Sequence, residues 1–288
     1  MLKAMNRVLL ATNEPEAASL QWQQLLDAEP TGREARPALG AEAHLLRLGD
    51  GWVELLAPTG DGIVAEAVSA RGAHLFAGGF TTADPDGFRR HLESEGIEPF
   101  IDGERLMLDE ANCGVPGLRL FVGPEDPQPA VGLVDRFYEL TDLVADSARE
   151  TARVARVLGL DDTVFVPISS EPYGYDGTLT LLDPDRLDRL EMITPNRSDT
   201  TMHRFYERVG GGLYMCFAES GELEEIERRA QEAGAGHTAV PREGKRDSLG
   251  AHTLFLHPKS LGGMMLGLSR RSFAWTWSGH PERVEVAP

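Results

Sequence analysis

The stretch AHTLFLHPKSLGGMMLGL, Ala251 to Leu268, decides how this chain is read. Two apolar runs, Thr253 to Leu256 and Met264 to Leu268, flank the polar elbow His257-Pro258-Lys259-Ser260, which closes on Gly262-Gly263. Proline removes a backbone donor and the paired glycines admit positive φ, so the segment predicts strand, loop and strand rather than helix. The elbow then presents Lys259 and Ser260 at one end of a sheet.

Outward from this element, helix-start signals recur at a steady interval. Asn13-Glu14-Pro15-Glu16 predicts a capped start, as do Asp84-Pro85 and the capping box Ser147-Ala148-Arg149-Glu150, and a fourth helix begins near Gly221. These starts lie roughly 60 to 75 residues apart. Each is preceded by a β-type run (Arg7 to Thr12, His74 to Thr82, Glu139 to Val144, Leu213 to Ala218) and followed by two or three more. The order is β-α-β-β-β, four times. Val53-Glu54-Leu55-Leu56-Ala57-Pro58 and Leu190-Glu191-Met192-Ile193-Thr194-Pro195 share one apolar-Glu-apolar-apolar-x-Pro pattern, which makes the duplication explicit. The proline- and acid-rich run Gly123 to Pro129 cannot continue a strand. An α+β chain of two domains, 1–124 and 131–288, each of two βαβββ units, is expected.

Of 288 residues, 46 are acidic and 28 basic, and the formal charge of −18 repels phosphate backbones and anionic membranes. Nucleic acid and membrane are therefore not expected partners. The Met1 to Met5 start has no charged leader followed by a long apolar run, and no segment reaches the roughly 18 apolar residues of a span. Cys113 and Cys216 form no disulfide framework, and Cys216 lies in an apolar run, so a cytoplasmic setting is expected.

The elbow with its flanking strands resembles the end of the methylmalonyl-CoA epimerases, within the vicinal oxygen chelate superfamily of glyoxalases, bleomycin-resistance proteins and extradiol dioxygenases. That resemblance implies two curved-sheet, glyoxalase-like domains with a cleft in each. It also implies a metal held by the first and last strand of each unit. The matching positions are Arg7, Glu54, Ala77 and Phe121 in the first half and Glu139, Glu191, Tyr214 and Gly267 in the second. Arg7 and Glu54 suit an ion pair. The family's histidines are missing and Gly267 stands where a glutamate is usual, so a degenerate metal site with no cofactor is expected. A divalent cation through Glu139 and Glu191 is the minor alternative.

Two carboxylates close together in a low-dielectric cleft cannot both ionise easily, which leaves an acid beside a base. That division suits removal of a proton α to a carbonyl by Glu139 and Glu191, with Tyr214 donating to the enolate oxygen. At the rim, Lys259 suits an anionic tail such as a CoA phosphate, with Ser260 beside it and His252 reaching the cleft. The expectation is an isomerase or lyase of the glyoxalase and epimerase type acting on a small acyl substrate. The alternative is a binding protein that sequesters a small molecule. The tail Ser272 to Trp277 alternates aromatic and small residues, as an extended segment covering a sheet edge or a second subunit does, so a homodimer is expected.

Overall fold

The computed structural model describes residues 2–285; Met1 and residues 286–288, the outer ends of the two expected domains, lie outside them. The first unit runs β1 (Leu2–Ala11), α1 (Pro15–Leu26), β2 (Glu29–Arg36), β3 (Ala41–Leu48) and β4 (Gly51–Pro58), and α2 (Ile63–Arg71) leads out of it. The second is β5 (His74–Thr82), α3 (Pro85–Ser94), β6 (Phe100–Asp102), β7 (Arg105–Leu108), the single turn α4 (Glu110–Cys113) and β8 (Leu120–Pro124). The third is β9 (Arg136–Leu143), α5 (Ser147–Leu158), β10 (Val166–Ser170), β11 (Tyr175–Leu181) and β12 (Arg189–Pro195), followed by α6 (Thr201–Val209). The fourth is β13 (Gly212–Glu219), α7 (Leu223–Glu232), β14 (His237–Val240), β15 (Thr253–Leu256) and β16 (Met265–Ser269).

Within each unit the last three strands form an antiparallel meander, and the helix carries the chain across so that the last strand returns parallel to the first. In the first unit Leu9 lies opposite Glu54, and in the third Thr141 lies opposite Glu191. Two mixed eight-stranded sheets result, ordered β2-β3-β4-β1-β5-β8-β7-β6 and β10-β11-β12-β9-β13-β16-β15-β14. The first sheet takes its strands from Leu2 to Pro124 and the second from Arg136 to Ser269. Compact packing groups the chain differently: one unit holds Met1–Met5, Ala77–Asp126 and Glu139–Tyr214, and the other holds Asn6–Phe76, Pro127–Tyr138 and Met215–Pro288.

The helices form where apolar side chains fall three and four residues apart, so that each buries one stripe. Trp22, Leu25 and Leu26 on α1, and Val154, Val157 and Leu158 on α5, are fully buried in this way. Two start signals act differently from the sequence expectation. Asn13 does not cap α1, whose N-cap is Glu14, and α5 is capped by Asp146, which accepts from the Arg149 N–H at 3.1 Å, rather than by Ser147. Glu150 is buried and paired with Arg149 and Arg153. Asp84 caps α3 as expected. Helices α2 and α6, which join units, carry no strong start signal beyond the Thr200 cap of α6.

The elbow folds as a 3-10 turn over Pro258–Ser260, and its backbone docks on α1. The Gln21 side chain donates to the Lys259 carbonyl at 3.2 Å and accepts from the Gly262 N–H at 2.9 Å. Gly263 has φ +102°, and a Cβ there would overlap the Ala73 carbonyl. Residues Phe273–Thr276 form a second 3-10 turn instead of an extended segment, with Phe273 stacked on His252 and Trp277 set against Phe217. Gly263→Ala combines a left-handed backbone with a backbone clash and is expected to lose about 1–3 kcal/mol or more in chemical denaturation. Gly60→Ala, where an added Cβ meets nothing, serves as the neutral reference.

Candidate active site

The parallel pairing of β9 with β12 builds the site. Glu139 lies opposite Arg189 and Thr141 opposite Glu191. Residues two apart on a strand share a face, so all four side chains project together. Glu139, Thr141 and Arg189 are at most 1% exposed and Glu191 is 7% exposed. The Arg189 guanidinium grips one Glu139 oxygen, Oε2, through Nε at 2.7 Å and a terminal nitrogen at 2.6 Å. The Thr141 hydroxyl is 2.7 Å from Glu191 Oε2 and 3.3 Å from Glu139 Oε1. Burial, then the negative charge of Glu139, hold the Glu191 carboxyl well above the ordinary carboxyl range, although Thr141 and Arg189 pull the other way.

Next along the same strands, Leu143 and Ile193 are buried with Met202 of α6, and the half-buried Ile168, Tyr175, Phe205, Tyr206 and Tyr214 pack against them. The Tyr214 ring meets Phe205 edge-on at 5.1 Å, and burial raises its phenol. Among the described residues its hydroxyl has no hydrogen bond to Glu139 or Glu191. Pairing Phe217 with Gly267, as Gly79 pairs with Phe121, puts Met215 rather than Tyr214 at the place of Ala77. The Tyr175 phenol on β11 is also raised, first by burial and then by the charge of Glu191.

The first sheet repeats the frame with different occupants. By register Arg7 stands where Glu139 does, Leu9 where Thr141 does, Trp52 where Arg189 does and Glu54 where Glu191 does. Glu54, fully buried, accepts from Arg7 at 2.5 Å and from Arg36 at 3.3 Å. The Arg7–Glu54 pair is thus present, joined by a second guanidinium from β2.

The structure brings together Glu139 and Glu191, and around them Thr141, Arg189 and Tyr175, which sequence reasoning did not single out. Lys259 is exposed on the elbow, whose backbone is the part tied to α1. Ser260 is buried within that turn. His252 is 3.0 Å from the Thr253 hydroxyl and stacks on Phe273 at 4.2 Å. At Gly267 the space of a side chain is taken by the Phe217 ring. Both cysteines are buried, and burial pushes the Cys113 thiol up to about 12, which removes it as a nucleophile.

No protein-family model and no curated protein matches the sequence. Among solved structures, a mutant of 4-hydroxymandelate synthase from Streptomyces coelicolor aligns over 99% of this chain and 100% of its own, with a TM-score of 0.73 at 15% identity. A fusion protein of a xylose isomerase-like TIM barrel with 4-hydroxyphenylpyruvate dioxygenase aligns over 94% of this chain and 49% of its own, with a TM-score of 0.63 at 13% identity. A methylmalonyl-CoA epimerase from Mycobacterium tuberculosis covers 48% of this chain at 19% identity, with a TM-score of 0.40. The chain has the paired glyoxalase-like fold of the vicinal oxygen chelate superfamily, and its neighbours in that fold are enzymes. No described helix is long and apolar enough to cross a membrane.

These neighbours correct one expectation. The absence of the family's histidines suggested that no cofactor is needed, yet the two structures sharing the fold over nearly the whole chain are non-haem iron enzymes. The Glu139–Glu191 cluster itself does not fit such an ion. Among the described residues, a guanidinium takes an oxygen of Glu139, Thr141 is hydrogen-bonded to Glu191, and no group of three or more His, Cys, Asp or Glu gathers to hold a metal ion. The same contacts disfavour a divalent cation bridging the two carboxylates.

Two outcomes follow from this geometry. Arg189→Met leaves the buried Glu139 carboxyl without its guanidinium partner, so a loss of about 3–5 kcal/mol is expected in chemical denaturation. Glu191 is held protonated in the folded chain at a pH where the unfolded chain releases the proton. Its stability contribution is therefore complete below the unfolded pKa and lost as pH rises through the folded one. Thermal scans between about pH 5 and about pH 8 should show the wild-type Tm falling relative to Glu191→Gln, which cannot ionise. Parallel curves would contradict the raised pKa.

Proposed function

We propose that the chain is an enzyme that transfers a proton at the carbon next to a carbonyl in a small acyl substrate, with Glu191 as the proton carrier. The observation that supports this reading is a buried carboxyl, raised well above the ordinary range, beside a second carboxyl that is ion-paired with a buried guanidinium. A carboxylic acid kept neutral in an apolar site can donate a hydrogen bond or a proton to a carbonyl oxygen as negative charge develops there. Proton transfer then balances: the Glu139 carboxylate takes the α-proton, the Glu191 hydroxyl gives its proton to the carbonyl oxygen, and an enol results. The half-buried rings of Tyr175, Phe205 and Tyr214 suit the apolar part of the substrate. In this assignment Tyr214 packs rather than donates, and Lys259, Ser260 and His252 take no part. A CoA thioester is one substrate with the required acidic carbon.

A second reading, sequestration of a small molecule without chemistry, draws support from one feature. Arg189 and Thr141 already satisfy much of the hydrogen-bonding capacity of the two carboxylates.

The two readings part in a deuterium experiment. Incubation in D2O with a panel of small 2-oxo acids and acyl thioesters, followed by NMR, should show enzyme-dependent loss of the α-proton signal from at least one compound. Glu191→Gln should slow that exchange by about 100-fold or more, general acid–base groups contributing on that scale. Tight binding of a panel member without exchange would favour sequestration, and full exchange in Glu191→Gln would sink the proton-carrier role.

A further inference from the structure

We infer that Arg189 is a positioning residue that assigns the single proton of the Glu139–Glu191 pair to Glu191, by fixing negative charge on Glu139. The inference rests on the proposed function for its purpose, and its geometry stands by itself. Strand register places the guanidinium directly opposite Glu139 and places only a hydroxyl opposite Glu191. The guanidinium donates from Nε to Glu139 Oε2 at 2.7 Å and brings a terminal nitrogen within 2.6 Å of the same oxygen, so Glu139 is the carboxyl with which the cation pairs. Thr141 has one hydroxyl proton. It lies 2.7 Å from Glu191 Oε2 and 3.3 Å from Glu139 Oε1, so it donates to Glu191.

The first sheet provides an internal contrast. There the residue at the place of Glu139 is Arg7, and the carboxylate at the place of Glu191 receives two guanidiniums. One frame thus carries a carboxylate bonded to two guanidiniums in the first sheet and a carboxyl hydrogen-bonded to a threonine hydroxyl in the second. The other titratable group close to the pair is the Tyr175 phenol, raised by burial and by both carboxylates and so neutral across the physiological range. It adds no charge that could choose between them.

Infrared spectroscopy of the full chain in D2O near neutral pH reads the protonated carboxyl directly, through its acid C=O stretch. No substrate is needed, so the outcome is independent of whether α-proton transfer occurs. The band should be present in the wild type and in Arg189→Lys, which keeps the charge, and lost in Glu191→Gln. It should also be lost in Glu139→Gln, because the raising charge of Glu139 is then gone while the Arg189 guanidinium still favours the ionised form of Glu191. In the double variant Arg189→Gln with Glu191→Gln the band should return, as the proton passes to Glu139. A band that survives in Glu139→Gln, or in Glu191→Gln alone, overturns the inference. If the double variant does not fold, the Glu139→Gln spectrum decides. A purely structural role for Arg189 would change stability without moving the band from one carboxyl to the other.

Discussion

Two carboxyl groups and one guanidinium are buried on one face of a parallel strand pair, and the site depends on that imbalance. A single buried arginine can compensate one glutamate, not two, and desolvating a second anion beside the first is costly enough that the proton stays instead. Arg189 is ion-paired with one oxygen of Glu139, Thr141 is hydrogen-bonded to Glu191, and burial beside the Glu139 carboxylate raises the Glu191 carboxyl. A group that holds a proton inside a protein at neutral pH is a chemical resource, because it can release the proton to a ligand that reaches it.

The rest of the chain holds that face in place. The βαβββ unit returns its last strand parallel to its first, which sets Glu139 against Arg189 and Thr141 against Glu191 without any loop contributing a side chain. Four copies of the unit make two sheets, and the two register-equivalent positions have diverged in charge. In the first sheet Glu54 is taken up by Arg7 and Arg36, an arrangement that suits structure more than chemistry. Two neighbours in this fold are iron enzymes, whereas here a guanidinium and a hydroxyl are bonded to the two carboxyl groups. A shared fold does not by itself fix the chemistry, because function resides in the residues that a fold displays.

Much of this architecture could be read from the sequence, because capped helix starts recur at a regular interval and two Glu-containing strands repeat almost residue for residue. Glu191 was legible for the same reason, and Glu139 because it begins an apolar run at the matching place. Arg189 and Thr141 lie two residues from those glutamates on the same strands, so strict alternation could have revealed both. They were hidden because an arginine and a threonine in strands have ordinary solvent-facing explanations. Tyr175 could not be found in that way, since its place depends on how β11 pairs across the meander. Tyr214 was misplaced by one residue. Gly210, Gly211 and Gly212 all have positive φ just before it, and such a turn gives sequence alignment no fixed starting point for the strand. The elbow, legible as a turn, proved to be an anchor: Gly262 and Gly263 let its backbone lie directly against α1 and Ala73.

The central claim is that burial and the neighbouring Glu139 carboxylate hold the Glu191 carboxyl well above the ordinary range, against the pull of Arg189 and Thr141. The most direct measurement is a pH titration of the Glu191 side-chain carboxyl carbon by NMR in the intact chain. The account predicts a midpoint well above the ordinary glutamate value of about 4.3. A midpoint at or below that value would show that Glu191 is an ionised member of a structural ion-pair network, and would contradict the account.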